Sequence, residues 1–428
     1  MGSDDGGGGV RRTVGPVGDP HVVTWWQRLW RPFWVLPSAI CLLAVAAGVV
    51  LPLVDAWLVD DAPYLFGGNA DSARSLLSTI ASAMVSVTGL VFSITMVVLQ
   101  LASSQFSPRL LGGFLASRVT QVTLGVFTAS FVFAFMVLRD VRGGESPFVP
   151  ELSVTVAFGL VLASVAMFFA FIHHITTSIQ VGQVVDRIAA ATLAVLEDGN
   201  EAEWAGATDP PSWDRHPGPS VVVTTGERHG IVSRVRYTDL VEQAAKAGVV
   251  VELLTRPGEV RHTGQELARV HGAQGGDPVL DRVRAAFGLE KDRTLEQDPE
   301  FGIRQLVDIA ERALSPGIND PTTAVQVLDE LHRILRVASI RPDRSAYLVD
   351  PAGVVRVVDR PTTFAGLLDL ALDEVAHYGR DTLQVPARIE HLLEDLGQVA
   401  RPEHAATTAA KRARLTERTS GGEPLLRP

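Results

Sequence analysis

Four long apolar segments without charged residues dominate the first 175 residues of the chain. They lie at about residues 35–54, 77–102, 119–138 and 152–175. A helix needs about 20 apolar residues to cross roughly 30 Å of hydrocarbon. The pattern therefore predicts four transmembrane helices. A cleaved secretory signal explains the first segment poorly, because its apolar run is long and no small-residue cleavage site follows before Asp55.

The pattern changes after residue 175 to that of a soluble domain. Residues 1–175 carry 9 basic and 10 acidic side chains, whereas residues 176–428 carry 29 and 38. The fold class predicted is a membrane α-helical protein with four transmembrane helices, followed by a cytoplasmic α+β domain with a helical C-terminal part. The predicted parts are a disordered tail (1–24), a transmembrane domain with a cytoplasmic helix extension (25–198), a linker (199–219), a small α+β unit (220–272), a mainly helical domain (273–402) and a polar tail (403–428).

Local signals define several elements within these parts. The helical apolar pattern of the fourth span continues to about Leu196, which predicts one helix running from the bilayer into the domain. Thr238 is the expected N-cap of the first helix in the α+β unit. From Thr407 on, the polar composition predicts a frayed or disordered end.

The distribution of Lys and Arg predicts the orientation. Arg28 and Arg31 precede the first span, and the loop between spans two and three carries Arg109 and Arg118 and no acid. The loop between spans one and two carries Asp60, Asp61 and Asp71 but a single Arg, Arg74. Positive loops stay on the cytoplasmic side. We therefore expect a multi-pass protein of the cell inner membrane with both termini in the cytoplasm.

Composition excludes several functions. The formal net charge is −10, so binding to a nucleic-acid backbone is not expected. The single cysteine, Cys41, permits neither an internal disulfide nor a thiolate metal site. The sequence contains no phosphate-binding loop, no His-Glu-x-x-His motif and no Gly-x-Ser-x-Gly elbow. It therefore indicates no cofactor, metal or catalytic residue, although an enzyme without a known motif stays open.

The second span carries a stripe of small and hydroxyl residues. Steps of three, four or seven residues place on one side of this helix Ser75, Thr79, Ser82, Ser86, Gly89, Ser93 and Gln100. Such a stripe serves either close packing between helices or the lining of a water-filled path. The sequence leaves both interpretations open. The absence of acidic or basic residues in the spans disfavours a proton relay or a charge-coupled transporter.

A second cluster of polar signals lies in the soluble part. Pro316 and Gly317 end one predicted helix, and Asn319 or Asp320 caps the next, with Pro321 at its first position. The set of polar and turn residues here admits three interpretations, namely helix capping, a subunit interface and a ligand or divalent-cation site. The set comprises Asp298, Asp308, Arg312, Ser315, Pro316, Gly317, Asn319, Asp320 and Pro321.

The same motif carries a resemblance to a known family. The run Leu306-Val-Asp-Ile-Ala310 followed by Ala313-Leu-Ser-Pro-Gly-Ile-Asn-Asp-Pro-Thr322 resembles the bacterial membrane proteins called domain of unknown function 2254. The resemblance covers most of residues 30–400. It implies a multi-pass inner-membrane protein and supplies no activity.

Two functions from different classes follow as hypotheses. The first is an oligomeric channel or permeation-type protein, gated by its cytoplasmic domain, with the pore between subunits around the second span. The alternative is a membrane-anchored sensor or scaffold whose cytoplasmic domain recruits a protein partner. The expected partners are thus the lipid bilayer and further copies of the chain.

Overall fold

The computed structural model describes residues 33–55, 66–105, 118–144, 148–178, 180–198 and 219–421. The chain divides into two compact units, with the change near residues 175–176. The predicted disordered tail, the cytoplasmic loop with Arg109 and most of the predicted linker lie outside the described residues.

The first unit consists of four long helices. They are α1 (Val35–Asp55), α2 (Ala70–Gln105), α3 (Arg118–Asp140) and α4 (Glu151–Ser178). All four are long and apolar enough to cross a membrane. The four predicted spans are therefore confirmed as helices, and each helix extends somewhat beyond its predicted apolar segment.

Close packing of α1 on α3 depends on glycine. A Cβ atom at Gly48 of α1 would lie 2.7 Å from the Met136 Cβ, and one at Gly125 of α3 would lie 2.7 Å from the Ile40 Cδ1. Small residues allow transmembrane helices to approach in this way. Between α3 and α4, the buried hydroxyls of Ser130 and Ser164 are hydrogen-bonded at 2.9 Å.

Asp55 joins the end of α1 to the start of α4. Its carboxylate accepts hydrogen bonds from the backbone N–H of Leu152 at 2.8 Å and of Ser153 at 3.1 Å, and from the Ser153 hydroxyl. A carboxylate at a helix N-terminus satisfies backbone donors that lack a helical partner and interacts favourably with the helix dipole. This acidic residue at the edge of the first span therefore caps another helix.

The second unit begins with a helix that the sequence analysis joined to the fourth span. Helix α4 ends at Ser178, and α5 (Val181–Asp198) is a separate helix. The backbone N–H groups of Gln183 and Val184 donate to the Gln180 carbonyl at 3.0 and 3.3 Å, so a new helical turn starts there. The predicted continuous helix is therefore wrong, although its apolar pattern is helical on both sides of the break.

Two sheets form the α+β part of the second unit. Its strands are β1 (Ser220–Thr224), β2 (Gly230–Val235), β3 (Val250–Leu253), β4 (Val260–Arg261), β5 (Glu266–His271), β6 (Phe287–Glu290), β7 (Tyr347–Val349) and β8 (Val355–Val358). One sheet has the order β1-β5-β3-β8-β7 and the other β4-β2-β6. All pairs are antiparallel except β3 with β8.

Two helices cover these sheets, α6 (Tyr237–Ala247) and α7 (Pro278–Ala285). The shared core includes Val232, Leu267 and Phe287 together with Val357 from the late hairpin. Strands β6, β7 and β8 come from the segment predicted as mainly helical, so the sheet part extends beyond residue 272. The expected N-cap at Thr238 is wrong, because α6 begins at Tyr237 with Arg236 in the cap position.

The helical part contains α8 (Pro299–Ala313), α9 (Pro321–Ser339), α10 (Phe364–Gly379), α11 (Gln384–Val399) and α12 (Pro402–Gly421). Helix α12 replaces the disordered end predicted from Thr407. Its Lys411 side chain is only 1% exposed and places Nζ 2.7 Å from both Asp369 Oδ1 and Asp373 Oδ1 of α10. Two buried ion pairs thus order a segment that its composition alone marks as a tail.

Helix α5 packs directly against the helical part. A Cβ atom at Gly302 of α8 would lie 1.8 Å from the Thr192 Oγ1 of α5. We expect Gly302→Ala to lower the free energy of unfolding by about 1–3 kcal/mol, because overpacking displaces one helix from the other. Chemical denaturation of the purified protein in detergent measures the change.

A matched control is Gly397→Ala in α11, where a Cβ atom meets nothing within 4 Å. Since glycine is unfavourable inside a helix, this substitution should be neutral or stabilising by up to about 1 kcal/mol. Thr192→Ala combined with Gly302→Ala should recover part of the loss. Equal effects of the two glycine substitutions would contradict the described contact.

Candidate functional site

The stripe on α2 faces outward from its own chain. All seven stripe residues, from Ser75 to Gln100, are exposed. The opposite side of the helix provides buried contacts through Leu77, Ile80, Met84, Val91 and Val98. The stripe and the buried residues thus lie on different sides of α2, and Leu90, next to Gly89, is exposed.

Two of the hydroxyl groups along this face donate their hydrogen atoms to backbone carbonyls of the same helix. Thr79 Oγ1 donates to the Ser75 carbonyl at 2.7 Å, and Ser86 Oγ donates to the Ser82 carbonyl at 3.1 Å. Each oxygen keeps lone pairs that point away from the helix axis. The face therefore offers acceptors without a fixed charge.

The outward faces of the neighbouring helices have a different character. From Leu42 to Val54 on α1, and from Phe158 to Ile172 on α4, no exposed residue carries a polar side chain. Those faces suit contact with lipid tails. Helix α2 also exposes Val85 and Met96 beside the stripe, but its outward face combines these with a line of hydroxyls.

Packing within one chain does not account for the stripe. The glycines used for close helix approach are Gly48 and Gly125, whereas a Cβ atom at Gly89 meets nothing within 4 Å. Among the residues that the structure describes, the stripe therefore lies on the surface of a single chain. This face can therefore contact another chain, water or lipid.

The polar cluster of the second unit is distributed along α8 and the turn after it. Asp298 caps the start of α8, where its Oδ1 accepts from the Phe301 N–H at 3.1 Å. It is 3% exposed and pairs with Arg293, whose Nε lies 2.6 Å from Asp298 Oδ2. This aspartate is therefore a buried structural cap.

The turn between α8 and α9 is fixed by local hydrogen bonds. Ser315 Oγ donates to the Arg312 carbonyl at 2.7 Å, and the Asn319 N–H donates to the Ser315 carbonyl at 2.9 Å. Asn319 has a φ of 50°, in the left-handed region that asparagine tolerates better than most residues. The intervening Pro316 and Gly317 are exposed.

Asp320 is the N-cap of α9, and Pro321 is its first residue, as the sequence analysis predicts. The carboxylate accepts from the Thr323 N–H at 3.1 Å and from the Thr323 hydroxyl at 2.7 Å. The hydrogen bond from the Thr323 hydroxyl, with the backbone bond, lowers the pKa of Asp320 below its ordinary value. Capping thus accounts for both bonds.

The cluster does not converge on one point. Asp298 and Asp320 lie beyond opposite ends of α8, a helix of 15 residues. Such a helix is about 22 Å long at roughly 1.5 Å per residue. These two carboxylates, which belong to one set in the sequence, therefore do not lie near one turn, because the helix between them separates them. Among the described residues, no group of three or more His, Cys, Asp or Glu side chains could hold a metal ion.

Asp308 pairs with the arginine one helical turn before it. Arg304 Nε is 2.7 Å from Asp308 Oδ1. Arg304 also contacts Glu311 and, from α10, Glu374. This group around Arg304 was not predicted from the sequence. The spacing of Arg304, Asp308 and Glu311 could have indicated a charged helix face, but Glu374 joins it only through the fold.

The fold now defines a class of protein. Four helices long and apolar enough to cross a membrane are followed by a unit of two small sheets and packed helices, which is the architecture of a multi-pass helical membrane protein with a substantial extramembrane domain. The chain belongs to the family described as a predicted membrane protein and designated DUF2254, whose family model matches residues 30–395. The resemblance inferred from the motif around Asp320 is therefore confirmed.

Mycobacterial relatives support this membership. The chain is 33% identical over 379 residues to the uncharacterized protein Rv1290c of Mycobacterium tuberculosis (strain H37Rv), a match that covers 84% of this chain and 70% of the relative. The uncharacterized protein Mb1321c of Mycobacterium bovis matches with the same identity and coverage. No solved structure matches the chain significantly.

The capping bonds give a direct test of the turn. We expect Asp320→Ala to lower the free energy of unfolding by about 1 kcal/mol, because two bonds at the start of α9 are lost. Asn319→Gly should be neutral or slightly stabilising, since glycine adopts a positive φ readily. Chemical denaturation in detergent compares the two variants, and an Asp320→Ala protein as stable as the wild type would exclude a capping role.

Proposed function

We propose that this protein forms an oligomeric channel or permeation-type protein of the cell inner membrane. The pathway lies between subunits and is lined by the α2 stripe, and both termini are cytoplasmic. The observation that carries the proposal is the outward position of the stripe. Its hydroxyls face away from the helices of their own chain, whereas the outward faces of α1 and α4 are apolar.

A hydroxyl stripe suits a water-filled path. Lone pairs along the helix can solvate a permeating molecule, and the lack of fixed charge avoids the cost of burying an ion in the bilayer. The small side chains at Ser82, Ser86 and Gly89 also let a second helix approach closely. Both properties favour a site where copies of α2 surround a common axis.

The link between α4 and α5 supports gating by the cytoplasmic domain. Helix α5 is fixed in that domain, because Arg333 Nη2 lies 3.3 Å from Asp186 Oδ1 and Arg341 Nη1 donates to the Leu196 carbonyl at 3.0 Å. Gln180 lies at the break between α5 and the fourth span. A displacement of the domain would thus pull on the end of α4 through a very short connection.

Cross-linking tests whether the stripe meets another copy. In a Cys41→Ala background, Ser86→Cys should give disulfide-linked dimers on oxidation in native membranes, because two α2 helices face each other. Ala163→Cys, on the apolar outward face of α4, is the matched control and should remain monomeric. Equal cross-linking at both positions, or none at residue 86, contradicts the proposed interface.

Flux measurements test the pathway itself. We expect liposomes containing the protein to release K⁺ or glycerol faster than empty liposomes. Ser86→Leu and Ser93→Leu should remove more than half of this flux, because leucine in a narrow path favours dewetting. Ala163→Leu should leave it unchanged. Cross-linking without flux of either probe would favour the alternative, a membrane-anchored sensor or scaffold that recruits a cytoplasmic partner.

A further inference from the structure

One guanidinium group joins α8 to α10 and faces three carboxyl groups. Arg304 Nε lies 2.7 Å from Asp308 Oδ1, and its Nη2 lies 2.7 Å from Glu374 Oε2 of α10. The same Nη2 lies 3.3 Å from both oxygens of Glu311. If all three carboxyls ionise, this contact carries an excess of two negative charges.

The two glutamates meet at one nitrogen of Arg304. Its Nη2 lies 3.3 Å from Glu311 and 2.7 Å from Glu374, so carboxyl groups from two different helices face the same donor. Two carboxylates have only acceptors, so they can bond to each other only when one of them carries a proton. Two like charges this close repel strongly, especially where water is partly excluded. A proton on one of the two carboxyls therefore stabilises the contact between the helices.

Burial decides which carboxyl holds it. Burial, followed by the hydrogen bond to Glu374, raises the pKa of Glu311 to about 7. The hydrogen bond from Arg304 lowers the pKa of Glu374. Side-chain exposure agrees with this assignment, at 22% for Glu311 and 42% for Glu374. Glu311, the more buried of the two, is thus the carboxyl that keeps its proton near neutral pH.

Charged groups on the other helices near α8 have partners of their own. Asp186 of α5 and Glu330 of α9 both bind Arg333, at 3.3 and 2.8 Å. On α10, Asp373 is bound by Lys411. His377, one turn after Glu374, packs edge-on against Tyr378 with ring centres 5.0 Å apart, and its buried Nδ1 has no hydrogen-bond partner among the described residues. The groups that face Glu311 most directly are therefore Arg304, Asp308 and Glu374.

We propose that Glu311 and Glu374 form a pH-responsive joint, which holds α8 against α10 while the two carboxyls share a proton and loosens when both are ionised. The joint needs neither a pore nor an oligomer, so it is independent of the proposed channel. It makes the packing of the cytoplasmic domain responsive to acidity close to neutral pH.

The direction of the effect follows from proton linkage. An unfolded glutamate loses its proton near its ordinary pKa of 4.5, whereas the native Glu311 keeps its proton up to about pH 7. Between these values the native state binds more protons than the unfolded state, so stability falls as pH rises. The loss is complete once pH exceeds the native pKa.

The experiment compares pH profiles of the full-length protein in detergent. We expect the wild-type melting temperature to fall by about 2 °C or more between pH 6 and pH 8. Glu311→Gln should show less than half of this fall, because an amide donates to Glu374 at every pH and accepts from Arg304. Asp381→Asn is the matched control, since its carboxylate is 89% exposed, and it should keep the full fall.

A local measurement locates the effect. Hydrogen exchange, corrected for the intrinsic pH dependence of the chemistry, should increase at pH 8 in residues 299–313 and 364–379 of the wild type and not in 384–399. Glu374→Gln replaces Glu311→Gln if the latter does not fold, and should also flatten the profile. The proposal is overturned if the wild-type melting temperature does not fall between pH 6 and pH 8, or if Glu311→Gln shows the same fall as the wild type.

Discussion

The requirement that polar groups be satisfied without water governs the membrane part of this protein. Backbone and hydroxyl groups within hydrocarbon must find partners in the protein itself. Asp55 satisfies the start of α4, and Ser130 and Ser164 bond across two helices. On α2, hydroxyls such as that of Ser86 donate to their own helix. Thr79 and Ser86 can therefore lie on the outer face of α2 without an unmet hydroxyl donor, and their oxygens keep acceptor capacity for a neighbour or for water.

The second unit holds α5, the helix that follows the membrane part along the chain, by close packing and by ion pairs. The close approach of Gly302 to Thr192 brings α5 against α8, and ion pairs from Arg333 and Arg341 secure its flank. The break at Gln180 separates this helix from α4. The contacts that hold α5 therefore lie within the second unit.

Sequence patterns identified the features that depend on local composition. The four spans follow from apolar length, the two sides of α2 follow from helical spacing, and the cap at Asp320 follows from the Asp-Pro pair. Features that depend on distant residues were missed. Helix α12 looks like a polar tail because Lys411 finds its acids about 40 residues earlier, and the Glu311–Glu374 pair exists only when α8 meets α10.

The break in the fourth helix shows a related difficulty. Apolar periodicity continues across residues 179–180, and neither proline nor a run of glycines marks the interruption. Backbone geometry at Gln180 decides it, since that carbonyl starts the next helix. The separation of Asp298 from Asp320 was not predicted because a whole helix, α8, lies between them. These residues are close in sequence, but a rigid helix places them far apart.

The burial of Lys411 has a consequence for how the protein is made. Asp369 and Asp373 on α10 receive this cation from the last described helix. During synthesis these two acids emerge from the ribosome well before their counter-ion, when the hydrophobic helices at the start of the chain have long been available for insertion. The contact between α10 and α12 can therefore form only after residue 411 has been synthesised, later than the four apolar helices.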